Sequence, residues 1–284
     1  MNAVPGPAER AQAVLAQGVH KSYWVGPTEI TAVRDVSFTV RPGGALGIVG
    51  ESGSGKTTLA RMVVGIEEPD AGTLTVAGEP MLTRPRGASA RVAQAKRAQM
   101  VFQDPYLSLD PRRTARQSLE DAVRAHTSGT RADIDARVDE LLQHVGLGER
   151  EAGARPRRLS GGQRQRVAIA RALAVDPAVL VLDEAVSALD VSVQAQILRL
   201  LVRVRAETGV ALLFVSHDLG VVRYVCDDAL VMFRGEIVER GPVGHLLDHP
   251  EHPYTRLLRA SIPQEGWDPE AIGQARRDFL AGLG

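Results

Sequence analysis

Gly50-Glu51-Ser52-Gly53-Ser54-Gly55-Lys56-Thr57-Thr58 is the stretch from which the rest of the chain is read. An apolar run, residues 45–49, precedes it and reads as a buried strand. Residues 58–65 follow with helical spacing and end on glycine. Strand, glycine loop and helix form the context that the G-x-x-x-x-G-K-[ST] phosphate-binding pattern requires. The glycines let successive backbone N–H groups turn into one cavity, and the helix N-terminus behind them adds partial positive charge. In such a cavity Lys56 would reach the β- and γ-phosphates of a triphosphate, and Thr57 would offer its hydroxyl to Mg²⁺.

The chain has 284 residues, 44% of them hydrophobic, and no net formal charge. That length supports one large α/β domain with a smaller part attached. Zero net charge argues against a general nucleic-acid binder. The lysines are Lys21, Lys56 and Lys96, so one of only three lies in the glycine loop, where a compact point charge suits a phosphate. A single cysteine, Cys226, rules out an internal disulfide and a cysteine-held metal cluster, and suits a reducing cytosol. No apolar run is long enough to span a bilayer. Residues 1–13 are expected to be a mobile tail without the apolar core of a secretory signal. The expectation is a cytosolic chain that meets a membrane only through partners.

Residues 14–23 and 30–40 alternate apolar and polar, with Gly26-Pro27 between them, and read as antiparallel strands covered on one face. Residues 73–76 and 99–102 read as further strands, and 81–97 carry little signal. From Asp110 the chain turns polar and helical. Ile134, Val138, Leu141, Leu142 and Val145 make an amphipathic stripe, so an inserted helical subdomain is expected over about 105–163. It closes on Leu159-Ser160-Gly161-Gly162-Gln163, and a helix is expected over 164–175. Residues 179–182 and 211–215 are continuous apolar runs, as in fully buried parallel strands. A helix is expected over 193–207, and Arg234-Gly235 reads as the turn of a hairpin. Strands alternating with helices predict a parallel sheet with helices on both faces and the N-terminal strands as a side layer.

Asp183 and Glu184 end a buried strand, an unusual place for carboxylates unless they serve a cation or a reaction. Asp183 fits a Mg²⁺ ligand opposite Thr57. Glu184 could take a proton from an attacking water. His217 ends another strand, where it could bond a γ-phosphate oxygen or serve a structural role. Gln103 also ends a strand, and its amide could meet Mg²⁺ or the attacking water.

In order and spacing, residues 50–58, Gln103, 159–163, 179–184, 187–190 and His217 resemble the motifs of ABC-transporter ATPases, across almost the whole chain. The resemblance implies an α/β P-loop NTPase core, with the ATPase domain over 14–241 and a C-terminal extension over 242–284. It implies ATP and Mg²⁺ as ligands, and a head-to-tail dimer with ATP at the joint. Each ATP would rest on one subunit's residues Gly50 to Thr58 and beneath the other's Ser160, Gly161, Gly162 and Gln163. Tyr23, with Trp24 as the alternative, stands where the family stacks an aromatic on adenine. Asp190 would organise the contact across the dimer, and the same residue reads as a helix N-cap.

A narrower resemblance, to the oligopeptide and dipeptide importers, lies in residues 50–53, 102–112, 187–197 and 249–258. It implies a second ATPase subunit of the same or a related chain, two membrane permeases and an extracytoplasmic solute-binding protein, with this chain at the cytoplasmic face of the membrane. Two departures stand out: Ala185 where the family has proline, and Gly44-Ala45 where it has Gly-Glu. His249 and His252 in their proline-rich turn read as structural. The arginines at 155, 157, 158, 164 and 166 are expected to meet acidic partner residues or solvent. A non-transport ATPase of the same family acting on nucleic acid or ribosomes is the competing reading. One cassette, no sustained heptads and zero net charge argue against it.

Overall fold

A computed structural model describes residues 12–127, 129–262 and 269–282. The chain begins with strands β1 (Val14–Val25), β2 (Thr28–Val40) and β3 (Ala45–Val49), then helix α1 (Lys56–Val63). Strands β4 (Ala71–Val76) and β5 (Glu79–Pro80), helix α2 (Ala88–Ala95) and strand β6 (Ala98–Val101) follow. Helices α3 (Ala115–His126), α4 (Arg131–Val145), α5 (Glu149–Ala152) and α6 (Gly161–Leu173) form one run. Next come β7 (Val179–Asp183), α7 (Val191–Thr208), β8 (Ala211–Ser216) and α8 (Leu219–Val222). The hairpin β9 (Asp228–Phe233) and β10 (Glu236–Pro242) precedes α9 (Val243–Asp248), α10 (Pro253–Ala260) and α11 (Pro269–Ala281). Most of the expected N-terminal tail lies outside the described residues, but Ala13 already pairs with Val40 and Ala77 through its backbone.

Two sheets form. One has four antiparallel strands in the order β2-β1-β4-β5, and the other six in the order β10-β9-β3-β8-β7-β6. Strands β9, β3, β8, β7 and β6 run parallel, and β10 closes the edge as the antiparallel arm of the hairpin. Strand alternation splits the core in two. Leu180, Leu182, Leu212 and Phe214 face a helical layer that includes Ile197 and Leu201 of α7 and Val167 and Ile169 of α6. Val179, Val181, Leu213 and Val215 face the four-stranded sheet, with α1 filling the gap through Leu59, Met62 and Val63. On that face the covering layer is mostly strand, so the expectation of helices on both faces holds only for α1.

The helical insertion shares its core with the sheet. Leu119 and Val123 of α3 and Val138, Leu141 and Val145 of α4 belong to the same apolar cluster as α6 and α7. Two of the five arginines expected to meet acidic partner residues or solvent make internal bonds instead. Arg166 donates to the Val145 carbonyl at 2.7 Å, and Arg164 to the Leu159 carbonyl at 2.7 Å.

Local structure differs from expectation in two places. Helix α6 starts at Gly161, a turn earlier than expected, because Ser160 and Gln163 close a capping box. The Ser160 hydroxyl accepts from the Gln163 N–H at 3.2 Å, and the Gln163 amide oxygen accepts from the Ser160 N–H at 2.8 Å. Helix α2 forms inside the stretch that carries little signal, and none of its residues is buried. No helix of the described residues is long and apolar enough to cross a membrane.

The central helix gives a check on this core. Leu201 of α7 is fully buried. Leu201→Ala should destabilise the chain by about 2–5 kcal/mol, read as a lower urea midpoint at unchanged slope.

Candidate functional site

The parallel strands end together, and their loops make one cleft of about 920 Å³. Ser52, Thr57, Gln103, Asp183, Glu184 and His217 line it. Five elements supply these six residues. Ser52 comes from the loop after β3, Thr57 from α1, Gln103 from beyond β6, the two carboxylates from the end of β7, and His217 from beyond β8. Arg61, Phe102 and Arg171 line the cleft as well, and no motif marks the two arginines. Arg61 lies one helical turn beyond Thr57 on α1, and Phe102 is 41% exposed.

The glycine loop is shaped by contact. A Cβ at Gly55 would stand 2.1 Å from the Ala32 carbonyl oxygen of β2, and the residue sits at φ +100°, a region costly for other residues. A Cβ at Gly50 would stand 2.2 Å from the Met232 carbonyl oxygen of β9. The loop is therefore wedged between the two sheets. Lys56 is buried, and its ammonium donates to the Glu51 carbonyl oxygen at 2.7 Å. Burial holds its pKa below the ordinary lysine value, although Glu184, Asp183 and Glu51 pull the other way.

Thr57 Oγ1 donates to Asp183 Oδ1 at 3.0 Å. Burial raises the Asp183 pKa, against the lowering effect of the Thr57 bond, and the neighbouring Glu184 adds to the rise. A hydroxyl and a desolvated carboxylate side by side, with no nitrogen or sulfur donor between them, match the oxygen-only preference of Mg²⁺. Among the described residues no group of three or more His, Cys, Asp or Glu could hold a metal ion.

Glu184 takes a left-handed backbone, φ +47°, and its N–H donates to the Val215 carbonyl at 3.1 Å. Such strain in a non-glycine residue persists where the surroundings enforce it. The twist separates the two carboxylates: Asp183 meets Thr57, while Glu184 Oε2 lies 3.7 Å from His217 Nδ1. Gln103 Nε2 donates to the Ser187 hydroxyl at 3.3 Å, and that hydroxyl donates to the Glu184 carbonyl at 2.9 Å. Gln103 is thereby tied to the backbone of Glu184.

Other candidates lie outside the cleft. Ser160, Gly161, Gly162, Gln163 and Asp190 do not line it. The Gln163 side chain is committed to its cap, and Gly162 packs so closely on α7 that a Cβ would stand 2.3 Å from Val193 Cγ1. Asp190 caps α7, accepting from the Val193 N–H at 2.9 Å and the Ser192 hydroxyl at 2.7 Å, and these bonds hold its pKa below the ordinary carboxylate value. Tyr23 is also outside the cleft lining, on the hairpin whose Ala32 braces Gly55; Lys21 Nζ sits 5.5 Å from its ring centre. His252 uses Nδ1 to accept from the Tyr254 N–H at 3.2 Å, a structural role.

Because Asp183 has a raised pKa in the fold, its contribution to stability is complete below the unfolded carboxylate value and is lost as pH rises through the folded value. Ionised Asp183 therefore burdens the ligand-free chain at neutral pH. Asp183→Asn should raise the ligand-free melting temperature at pH 7 and abolish the extra rise that Mg²⁺ gives over ATP alone, both read by calorimetry.

The ABC transporter family model matches residues 33–187. A Sinorhizobium fredii protein named as a probable peptide ABC transporter ATP-binding protein is 47% identical over 82% of this chain and 66% of its own length. The di/tripeptide transport ATP-binding protein DppF of Pseudomonas aeruginosa is 42% identical over 88% of this chain and 77% of its own. Among solved structures, a dimeric ATP-binding cassette in a post-hydrolysis state with ADP and phosphate superposes with a TM-score of 0.72 at 29% identity, over 81% of this chain and 98% of that one. The cassette cbiO1 of Clostridium perfringens, part of an ABC transporter complex, gives 0.76 at 26% identity, over 90% and 98%. With the loop, the paired strand-end carboxylates and the two-layered sheet already in place, these likenesses settle the family: the chain belongs to the ABC transporter family, as an ATP-binding, ATP-hydrolysing cassette.

Proposed function

We propose that this chain is the ATPase subunit of an importer for peptides or similar small solutes, held at the cytoplasmic face of the membrane by two permeases and served by an extracytoplasmic solute-binding protein. The observation that carries the chemistry is the meeting of Thr57, Asp183 and Glu184 at one cleft. The peptide-transport names of the relatives support the choice of cargo.

In this reading the N–H groups of the glycine loop and Lys56 receive the phosphates of ATP. Thr57 and Asp183 would hold Mg²⁺, which when bound neutralises charge on the phosphate oxygens. Glu184 takes a proton from the water that attacks the γ-phosphorus, and ADP leaves. His217 faces Glu184 and bonds the γ-phosphate. Gln103, linked to Glu184 through Ser187, reports occupancy to the helical insertion and to the permeases beyond it. Tyr23 stacks on adenine.

The remote position of Ser160 supports a shared site. Its hydroxyl accepts inside the cap and keeps its proton for an outside acceptor, beside the open N–H groups of a thirteen-residue helix. A phosphate on another subunit's loop fits that acceptor. The second ATPase subunit, a copy or a relative, then completes each site.

Glu184→Gln should leave ATP binding intact, slow hydrolysis by about 10²–10⁴-fold and accumulate as an ATP-bound dimer on size exclusion. Wild-type turnover in that variant would remove Glu184 from the reaction. Lys56→Ala should lose ATP affinity in a direct titration, and unchanged affinity would move the phosphates elsewhere.

A further inference from the structure

The C-terminal extension reaches back to the glycine loop. The backbone N–H of Glu51 donates to the Tyr254 hydroxyl at 2.8 Å, across 203 positions of sequence. The carbonyl of that same residue accepts from Lys56 Nζ at 2.7 Å. Residue 51 is thus held at both ends, by the extension on one side and by the phosphate-loop lysine on the other. Its side chain joins too: Glu51 Oε2 pairs with Arg276 Nη2 of α11 at 2.7 Å.

Tyr254 is itself firmly placed. Its ring lies 4.5 Å from Phe233 and 6.1 Å from Phe279, centre to centre, and Phe233 ends β9. Just before α10, the N–H groups of Glu251 and His252 each donate to the Glu239 carboxylate of β10 at 2.9 Å. The residue after Phe233 and Arg234 also touches the loop, since the Gly235 N–H donates to the Ser54 carbonyl at 3.1 Å. Burial pushes the Tyr254 phenol up to about 12, so it stays a neutral hydroxyl through the physiological range.

We propose that Tyr254 is a positioning residue for nucleotide binding: by fixing the Glu51 N–H it fixes residue 51, whose carbonyl on the other side of the Cα sets where the Lys56 ammonium stands when phosphate arrives. The inference rests on the reading of residues 50–58 as the seat of ATP. A neutral hydroxyl serves this role better than an ion pair. Tyr254 is buried, whereas the Arg276 and Glu51 side chains are 55% and 34% exposed and their attraction is screened. Without the phenol oxygen the Glu51 N–H loses its acceptor, and the Gly50–Glu51 peptide is free to turn about the Glu51 Cα, which shifts the next peptide unit, whose Glu51 carbonyl holds Lys56.

The test uses the full-length chain. Tyr254→Phe keeps the ring between Phe233 and Phe279 and removes only the acceptor. It should raise KM for MgATP by about three- to tenfold while kcat stays within about twofold, at an unchanged melting temperature. Arg276→Gln should change KM by less than about twofold. A Tyr254→Phe chain with unchanged KM overturns the proposal, whether or not its melting temperature falls, because a mere brace for the extension moves stability alone. Lys56→Ala separates the two claims. If it loses ATP while Tyr254→Phe binds normally, only the positioning role fails; if it binds ATP normally, the loop is not the nucleotide seat and both fail.

Discussion

Parallel pairing of β3, β8 and β7 in one register is the constraint on which the site depends. Val49 lies opposite Ser216, and Val215 opposite Asp183, so three strands end almost level. The chain must leave the sheet at those points, and it does so as the glycine loop, the His217 loop and the Asp183-Glu184 turn. Backbone ladders set this alignment, and side chains inherit it. A one-residue slip of β7 would turn Asp183 from Thr57 and put an apolar residue, Leu182, in its place. The apolar alternation on both faces makes such a slip costly, because it would exchange Leu180 and Leu182 with Val179 and Val181 between two differently shaped cores.

The same constraint explains why Ser160 stands apart from the cleft. Strand ends can gather a phosphate loop, a cation pair and a base. They cannot reach the N-terminus of α6, which packs by Gly162 against α7 and faces outward at Ser160. The helical insertion is joined to the sheet through a continuous apolar core that takes in α3, α4, α6 and α7.

Much of this was legible in the chain. The buried strands 179–182 and 211–215 announce themselves by unbroken apolar runs, and the glycine loop by spacing that few other structures need. The motif spacing sets Thr57 and Asp183 opposite one another, and the structure puts them in contact. The start of α6 was missed because two glycines masked a helix that the Ser160 and Gln163 cap stabilises. Helix α2 was missed because a helix that buries nothing leaves no apolar period. Arg61 and Arg171 enter the cleft from helix faces with no motif of their own, and burial lowers the Arg171 pKa, a property invisible in sequence. The bond from Glu51 to Tyr254 joins two stretches that had each resembled the peptide importers, yet nothing local ties one to the other.

The central claim is that, within one subunit, the glycine loop and the residues at the strand ends seat the triphosphate. Amide hydrogen exchange with and without MgATP tests it most directly. The account predicts slowed exchange over residues 53–58 and at 183–184, where phosphate and cation displace water. Unchanged exchange there, with protection at some other part of the chain, would contradict it.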